Sequence, residues 1–392
     1  MREKAGYRPF DIVVWGATGF TGRLVAEYLA HRIGEDGPRW ALAGRDPAKL
    51  ERVHAEIGAG ANVPILTADA ADADSMAELA RSTAVVLTTV GPYQLYGEPL
   101  LAACVAEGTD YADLCGEPVW MRQMIDRYHA AARTSGARIA FSSGFDSIPF
   151  DLGVLMLQQA ATARFGAPCP RVKGRVRGMK GGASGGTAAS LKATLAALKA
   201  DPALLPIMLS PFGLTPGFAG PPQPRGDAVQ FDEALNAWEA PFIMAAINTK
   251  NVHRTNALLG HPYGRDFVYD EMVLTGPGEA GEAAARHLAS NPSIGTANDP
   301  KPGQGPDKAA RDSGFYDLLF IGEMPDGRSL RYAVKGRYDP GYGSTSRMIA
   351  ETGLALLRCD ADGGVSTPGA LLGEALVDRL RNHAEIAFAV EA

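Results

Sequence analysis

Between residues 11 and 141 the chain alternates short apolar runs with longer segments that read as helices, and no other feature narrows its fold as much. The runs are Asp11–Trp15, Trp40–Ala43, Val63–Ala68, Ala84–Thr88, Asp110–Asp113 and Ala137–Phe141. Each is followed by enough chain to supply a crossover helix, so the pattern predicts six parallel strands of a doubly wound Rossmann sheet.

At 392 residues the chain exceeds what one compact core usually supports. The expected fold class is α/β: an N-terminal Rossmann domain over residues 1–150, a second α+β domain over 151–343 with an antiparallel or mixed sheet, and helices over 344–392 that pack back on the first domain. A cleft between the two domains would hold the ligands.

The first run ends in Gly16-Ala17-Thr18-Gly19-Phe20-Thr21-Gly22, and a helix is expected from Phe20 to Arg32. Gly16 permits the sharp strand-to-helix turn. Gly19 removes a side chain that would block a pyrophosphate, and Gly22 lets the helix pack on the sheet. Backbone amides and the positive helix end would then hold the phosphates of a dinucleotide. The second run ends in Ala43-Gly44-Arg45, where an acidic residue would bond the ribose hydroxyl of NAD. Gly44 leaves that place empty and Arg45 can grip a phosphate, with Lys49 adding to it, so the expected cofactor is NADP. The alternative is that Arg45 is a solvated loop residue partnered by Asp46. Asp69 either approaches the adenine or caps a helix in the acidic run that follows. Gly91 and Pro92 leave the end of the fourth strand and are expected to shape the wall near the nicotinamide ribose.

The formal net charge of −6, with charges interspersed, offers no basic field for nucleic acid. Residues 1–10 have no apolar core of a signal peptide, and no apolar run reaches the ~18 residues of a spanning helix. The expected location is cytoplasmic, with peripheral contact at a membrane left open. Cys104, Cys115, Cys169 and Cys359 are widely spaced, without a zinc pattern, and read as reduced and structural.

Beyond residue 150 the pattern changes. Arg171 to Met179 reads as a strand with Arg171, Lys173, Arg175 and Arg177 on one face, which either receives an acidic substrate or a phosphopantetheine arm or is simply solvated. Gly181-Gly182-Ala183-Ser184-Gly185-Gly186 precedes a helix near Thr187 and could contact substrate. Residues 203–222 carry no charge. They either line an acyl channel, touch a membrane, pack at a dimer or synthase interface, or form core under a loop. Asp317–Glu323 and Ser329–Arg337 flank Pro325-Asp326-Gly327 and predict an antiparallel hairpin. Thr296 to Gly314, polar and rich in Pro and Gly, reads as a lid-like loop. Helices near Ser344–Leu357 and Gly369–Arg381 close the chain.

Several of these motifs resemble one family. The Gly16–Gly22 turn, Ala43-Gly44-Arg45, Val90-Gly91-Pro92-Tyr93 and Gly144-Phe145-Asp146-Ser147-Ile148-Pro149-Phe150-Asp151-Leu152-Gly153 are similar to the saccharopine dehydrogenase-like oxidoreductases. Lys335 to Thr345 and Pro302-Gly303-Gln304-Gly305-Pro306 resemble its trans-acting enoyl reductase subgroup. The resemblance implies NADPH-dependent reduction of a lipid or polyketide enoyl thioester, presented by a separate synthase. Such a reaction needs a proton donor or carbonyl polariser beside the nicotinamide. Asp146, Ser147 and Tyr93 are the leading candidates, with Tyr96 and Tyr342 behind them; Asp146-Ser147 could instead cap the next helix. His253 and His261, in a polar patch read as loop surface, are left out. Two other readings stand: a C–N dehydrogenase of the saccharopine type, which needs a basic dicarboxylate pocket, and an NADP-holding lipid or membrane adaptor without turnover.

Overall fold

The computed structural model describes residues 7–182, 185–291, 300–301 and 303–391. The N-terminal strands are β1 (Phe10–Trp15), β2 (Trp40–Gly44), β3 (Ile65–Thr67), β4 (Thr83–Thr88), β5 (Asp110–Ala112) and β6 (Arg138–Ala140). Between and after them run helices α1 (Phe20–Arg32), α2 (Pro47–Glu56), α3 (Ala73–Ser82), α4 (Tyr93–Tyr96), α5 (Glu98–Glu107) and α6 (Pro118–Ser135). All six expected strands are present and pair in parallel. Their apolar runs are continuous because both faces are buried: Ile12 and Val14 pack into one core, Val13 and Trp15 into the other.

The rest of the chain comprises α7 (Ile148–Phe165), β7 (Arg171–Lys180), α8 (Gly185–Ala200), α9 (Leu205–Leu209), β8 (Gln230–Asp232), β9 (Ala237–Pro241), α10 (Ala245–Leu258), β10 (Val268–Gly276), α11 (Gly278–Ser290) and α12 (Lys308–Asp312). It ends with β11 (Phe315–Glu323), β12 (Ser329–Arg337), α13 (Thr345–Leu356), β13 (Gly364–Ser366), α14 (Pro368–His383) and β14 (Ile386–Glu391). The first sheet has the order β13-β6-β5-β4-β1-β2-β3 and the second β14-β12-β11-β7-β10-β9-β8. The second sheet is mixed: β7 and β10 are parallel, and the hairpin of β11 and β12 pairs Glu323 with Ser329 across the expected Asp326-Gly327 turn.

Residues 344–392 hold more than helices. β13 joins the first sheet beside β6, and β14 joins the second beside β12. Helix α13 is tied to α1 and α14 by Glu351, fully buried, which accepts from Tyr28 Oη at 2.7 Å and Arg32 Nε at 3.1 Å and pairs with Arg379 at 2.6 Å.

The basic face of β7 is partly solvated at Arg171, Lys173 and Arg177 and buried at Arg175, and each of the four side chains is already paired. Arg171 pairs with Asp270, Lys173 with Asp232 and Glu323, Arg175 with Glu239 and Asp270, and Arg177 with Asp317 and Glu391. Strands β8, β9, β10, β11 and β14 supply these carboxylates, so the charges neutralise one another across the sheet. The four cysteines are free thiols.

The apolar stretch 203–222 is divided. Only its middle is core: Gly213, Leu214 and Thr215 are buried, the Leu214 carbonyl accepts from Arg254 at 2.6 Å, and Phe212 lies 4.5 Å from the His253 ring, whereas Pro216, Gly217, Ala219 and Pro222 are exposed. Its first half, ending in α9, stays on the surface. His253 is accordingly not loop surface but a buried residue of α10, and burial pushes its imidazole down to about 3. His261 lies 4.6 Å from the Phe218 ring.

Candidate active site

The loops leaving the carboxyl ends of β1, β4, β5 and β6 converge on a cavity of about 310 Å³. Ligands of open parallel sheets bind at this edge where the strand order reverses, here between β1 and β4. Across the cavity lie α8, α9 and the start of α10, contributing among others Ser190, Leu191, Met208 and Ile247. The lining is polar near the sheet and apolar toward α9. No arginine, lysine or histidine lines it among the described residues.

Asp146 lines this cavity. Its neighbours explain the orientation. Phe145 is drawn into the core, edge-on to Phe150 at 5.7 Å and Tyr316 at 4.8 Å, while its amide donates to Thr345 Oγ1 at 3.0 Å. Ser147 is drawn toward α10, where Asn251 Nδ2 donates to its Oγ at 2.6 Å and that hydroxyl donates to Asn248 Oδ1 at 3.4 Å. Asp146 is left facing the cavity, with no hydrogen bond or ion pair among the described residues, and burial pushes its carboxyl up to about 6. Ser147 does not line the cavity. It stands at the N-cap position of α7 but makes no capping hydrogen bond.

Tyr93 lines the cavity, yet its hydroxyl is used by the backbone: it donates to the Thr88 carbonyl and accepts from the Leu114 amide, each at 3.1 Å. Burial raises its phenol well above the usual range, which makes it a poor acid. Tyr96 is half exposed and outside the cavity. Tyr342 is inside it, its hydroxyl 3.1 Å from Thr187 Oγ1 and its ring edge-on to Phe20 at 5.1 Å. The turn that presents Tyr342 is held by Asp339, which accepts from the amides of Tyr342 and Gly343.

Other residues that organise the cavity carry no sequence signal of their own. Glu117, buried, accepts from the amides of Tyr93 and Gln94 at 2.9 Å each and from Ser190 Oγ at 2.8 Å. Asp113 accepts from the amides of Cys115 and Ser142 and from Tyr111 Oη, tying the loops after β5 and β6 together. Burial pushes its carboxyl up to about 7.

The glycine turn fits a dinucleotide. Gly16 has φ +85°, and a Cβ there would sit 2.6 Å from Val90; one on Gly22 would sit 2.1 Å from the Gly16 carbonyl oxygen. Both glycines are needed to close the turn. At Gly19 a Cβ would meet only the Gly16 oxygen, at 3.3 Å, so its absence leaves space beside the loop. The first turn of α1 has no side-chain cap, which leaves its amides for an anion. Thr18, Gly19 and Phe20 open onto a second cavity of about 240 Å³ that Lys49 and Arg52 also line. Arg45 is exposed and unpaired among the described residues; Asp46 instead accepts from the Lys49 amide as the cap of α2. Gly44 is buried at the end of β2, and the Ala68 amide donates to its carbonyl, which sets Asp69 one residue beyond this junction. Asp69 accepts from the Ala71 amide; the cap of α3 is Asp72. Gly91 lines the cavity at the sheet edge, whereas Pro92 is buried at the start of α4.

The Gly303–Pro306 loop covers this region. A Cβ on Gly305 would strike the Phe20 ring, and the Gln304 carbonyl accepts from the Gly185 amide at 3.2 Å. Thr296 to Asp299, Pro302, and Ala183 and Ser184 of the glycine-rich loop lie outside the described residues.

Residues 12–139 match the family described as the saccharopine dehydrogenase NADP binding domain. A Mycobacterium tuberculosis protein that carries the name trans-acting enoyl reductase provisionally is 42% identical over 403 residues, covering 95% of this chain and 96% of its own. A trans-acting enoyl reductase of Mycobacterium leprae is 36% identical over 407 residues, with the same coverage. The chain belongs to the trans-acting enoyl reductase family. Its N-terminal domain is an NADP-binding domain, and the chain is an NADP-dependent oxidoreductase. A saccharopine dehydrogenase of Saccharomyces cerevisiae has the same fold, with a TM-score of 0.56 and 11% identity over 98% of this chain and 100% of that one. Among the described residues no helix is long and apolar enough to cross a membrane.

Proposed function

We propose that this chain reduces the carbon–carbon double bond of a thioester-linked enoyl chain, using NADPH and taking its substrate from a separate synthase. The observation that carries this reading is the chemistry of the cavity wall: apolar toward α9, without a basic side chain among the described residues, and holding one unpaired carboxyl near the sheet edge. A saccharopine-type substrate would bring several carboxylates beside Asp146 and Glu117 with no cation to meet them, so the C–N alternative loses its support.

Bound NADPH supplies the hydride. The amides at the start of α1 would hold its phosphates, and Arg45, Lys49 and Arg52 the phosphate on the adenosine ribose. Asp146, its carboxyl pushed up to about 6 by burial, is suited to deliver the proton that completes saturation. Thr345 and Asn251 position it indirectly, through its neighbours Phe145 and Ser147.

The test is NADPH oxidation by the purified protein with trans-2-enoyl thioesters of coenzyme A and of a carrier protein, with NADH as the control. Turnover with NADPH is expected. Binding of NADPH without turnover of any enoyl thioester would sink the reading and return weight to the non-catalytic adaptor.

A further inference from the structure

The cavity is not closed at its apolar end. Met208 and Ile243 line it, and Ile243 is at the same time 46% exposed. Met208 belongs to α9, where Leu205, Met208 and Leu209 follow the i, i+3, i+4 spacing of one helix face. Leu205 is 41% and Leu209 76% exposed. Residues 202–224 contain no charged side chain. An apolar strip without a charged side chain therefore continues from the cavity wall onto the surface.

The volume says what the strip is for. A cavity of about 310 Å³ stands at the small end of ligand sites, and a nicotinamide together with an enoyl thioester uses it up. A long acyl chain anchored at that thioester has to leave, and the exit it meets is Met208 and Ile243. We infer that the α9 strip is a groove for the distal part of the substrate's acyl chain, and that Leu205 and Leu209 make the enzyme selective for long chains. This rests on the enoyl thioester reading. Other occupants, a membrane surface or a second copy of this chain, would cover the strip without regard to the length of the acyl chain in the site.

The experiment compares crotonyl and hexadecenoyl thioesters on wild type and on a Leu205→Ser/Leu209→Ser double variant. Each buried methylene is worth about fourfold in affinity. The variant should raise KM for the long substrate by roughly tenfold or more while kcat/KM for crotonyl thioester stays within about twofold. Equal loss on both substrates, or no loss on either, overturns the inference. So does loss of flotation with phosphatidylcholine–phosphatidylglycerol vesicles, or of a dimer in sedimentation, with an unchanged chain-length profile. A second measurement needs no turnover: an environment-sensitive dye on Leu209→Cys, in a Cys359→Ser background, should report shielding when hexadecanoyl thioester is added with NADP⁺ and none with butyryl thioester. Silence toward both overturns the groove. If wild type turns over no enoyl thioester, it is the proposed function that has failed; if wild type turns them over but the variants behave alike, only the groove has failed.

Discussion

Ser190 on α8 donates its hydroxyl to Glu117 Oε1 at 2.8 Å, so a helix of the second domain and the carboxyl edge of the Rossmann sheet share one buried carboxylate. Gln94 reinforces the junction by donating to Thr194 Oγ1 at 3.2 Å. A wall of the candidate site is thus built by a contact that also joins α8 to the Rossmann sheet.

Glu117→Ala removes the acceptor for the Tyr93 and Gln94 amides as well as for Ser190. Stranded buried donors cost about 1–3 kcal/mol each, so we expect a loss of roughly 2–4 kcal/mol in urea unfolding. A loss below about 0.5 kcal/mol would mean that water replaces the carboxylate without cost.

Asp146→Asn separates stability from activity. The carboxyl, raised from 3.8 to about 6, binds more protons in the folded than in the unfolded state between those values. Its contribution therefore falls as pH rises through that window. Near neutral pH the variant should be more stable than wild type, by roughly 1–2 kcal/mol after allowance for partial solvent contact. Its kcat should nevertheless drop by about 10²–10⁴-fold with NADPH affinity unchanged. Wild-type kcat/KM should decline above pH about 6, as the acid form is lost. A variant that keeps both kcat and that pH limb would remove Asp146 from the mechanism.

Arg45→Glu tests cofactor choice. The Kd for NADPH should rise by roughly 10–100-fold while that for NADH moves by less than about threefold. Parallel weakening of both would mean that the residue acts on the fold of the loop rather than on the phosphate.

Gly19→Ala and Gly22→Ala should fail differently. The Gly22 variant forces a Cβ onto the Gly16 carbonyl and should lose about 2 kcal/mol or more of stability. The Gly19 variant should fold to within about 0.5–1 kcal/mol of wild type yet bind NADPH poorly, since its methyl enters the phosphate cradle. Unfolding curves and cofactor titration on the two variants distinguish these outcomes; identical behaviour would contradict the cradle.

Glu271 supplies a second pH signature. Buried with Asn248 and Tyr269 as its hydrogen-bond donors, its carboxyl is pushed from 4.5 up to about 8. The folded state holds the extra proton between those values, so stability declines with rising pH across the window. In Glu271→Gln the drop in Tm from pH 5 to pH 8 should be smaller than in wild type. An unchanged drop would assign the pH dependence to other groups.

What could be read from the sequence follows the range of the interactions involved. The turn from Gly16 to Gly22, the helix to Arg32 and the Asp326-Gly327 hairpin are local, and residue type alone dictates them. The partners of Arg171, Lys173, Arg175 and Arg177 lie far along the chain, so a strand paired on every charge looked like an open basic face. On α10, Asn248, Lys250, Asn251, His253 and Arg254 are all buried, although a polar helix reads as surface. Glu117, immediately before Pro118, carries no local signal, because its side chain serves another helix rather than capping its own. Among the catalytic candidates the sequence could name Asp146 and Ser147 together; only packing on either side tells which of the two faces the cavity.

β13 and β14 are end strands of different sheets, yet only α14 separates them. During synthesis the first sheet cannot be finished until Ser366 has emerged, nor the second until β14 has. A chain halted before Gly364 would present two unpaired strand edges at once, on β6 and β12, and such edges recruit other chains. Clipping or stalling just before Gly364 would thus be felt in both halves of the molecule together, as aggregation rather than as a trimmed but working enzyme.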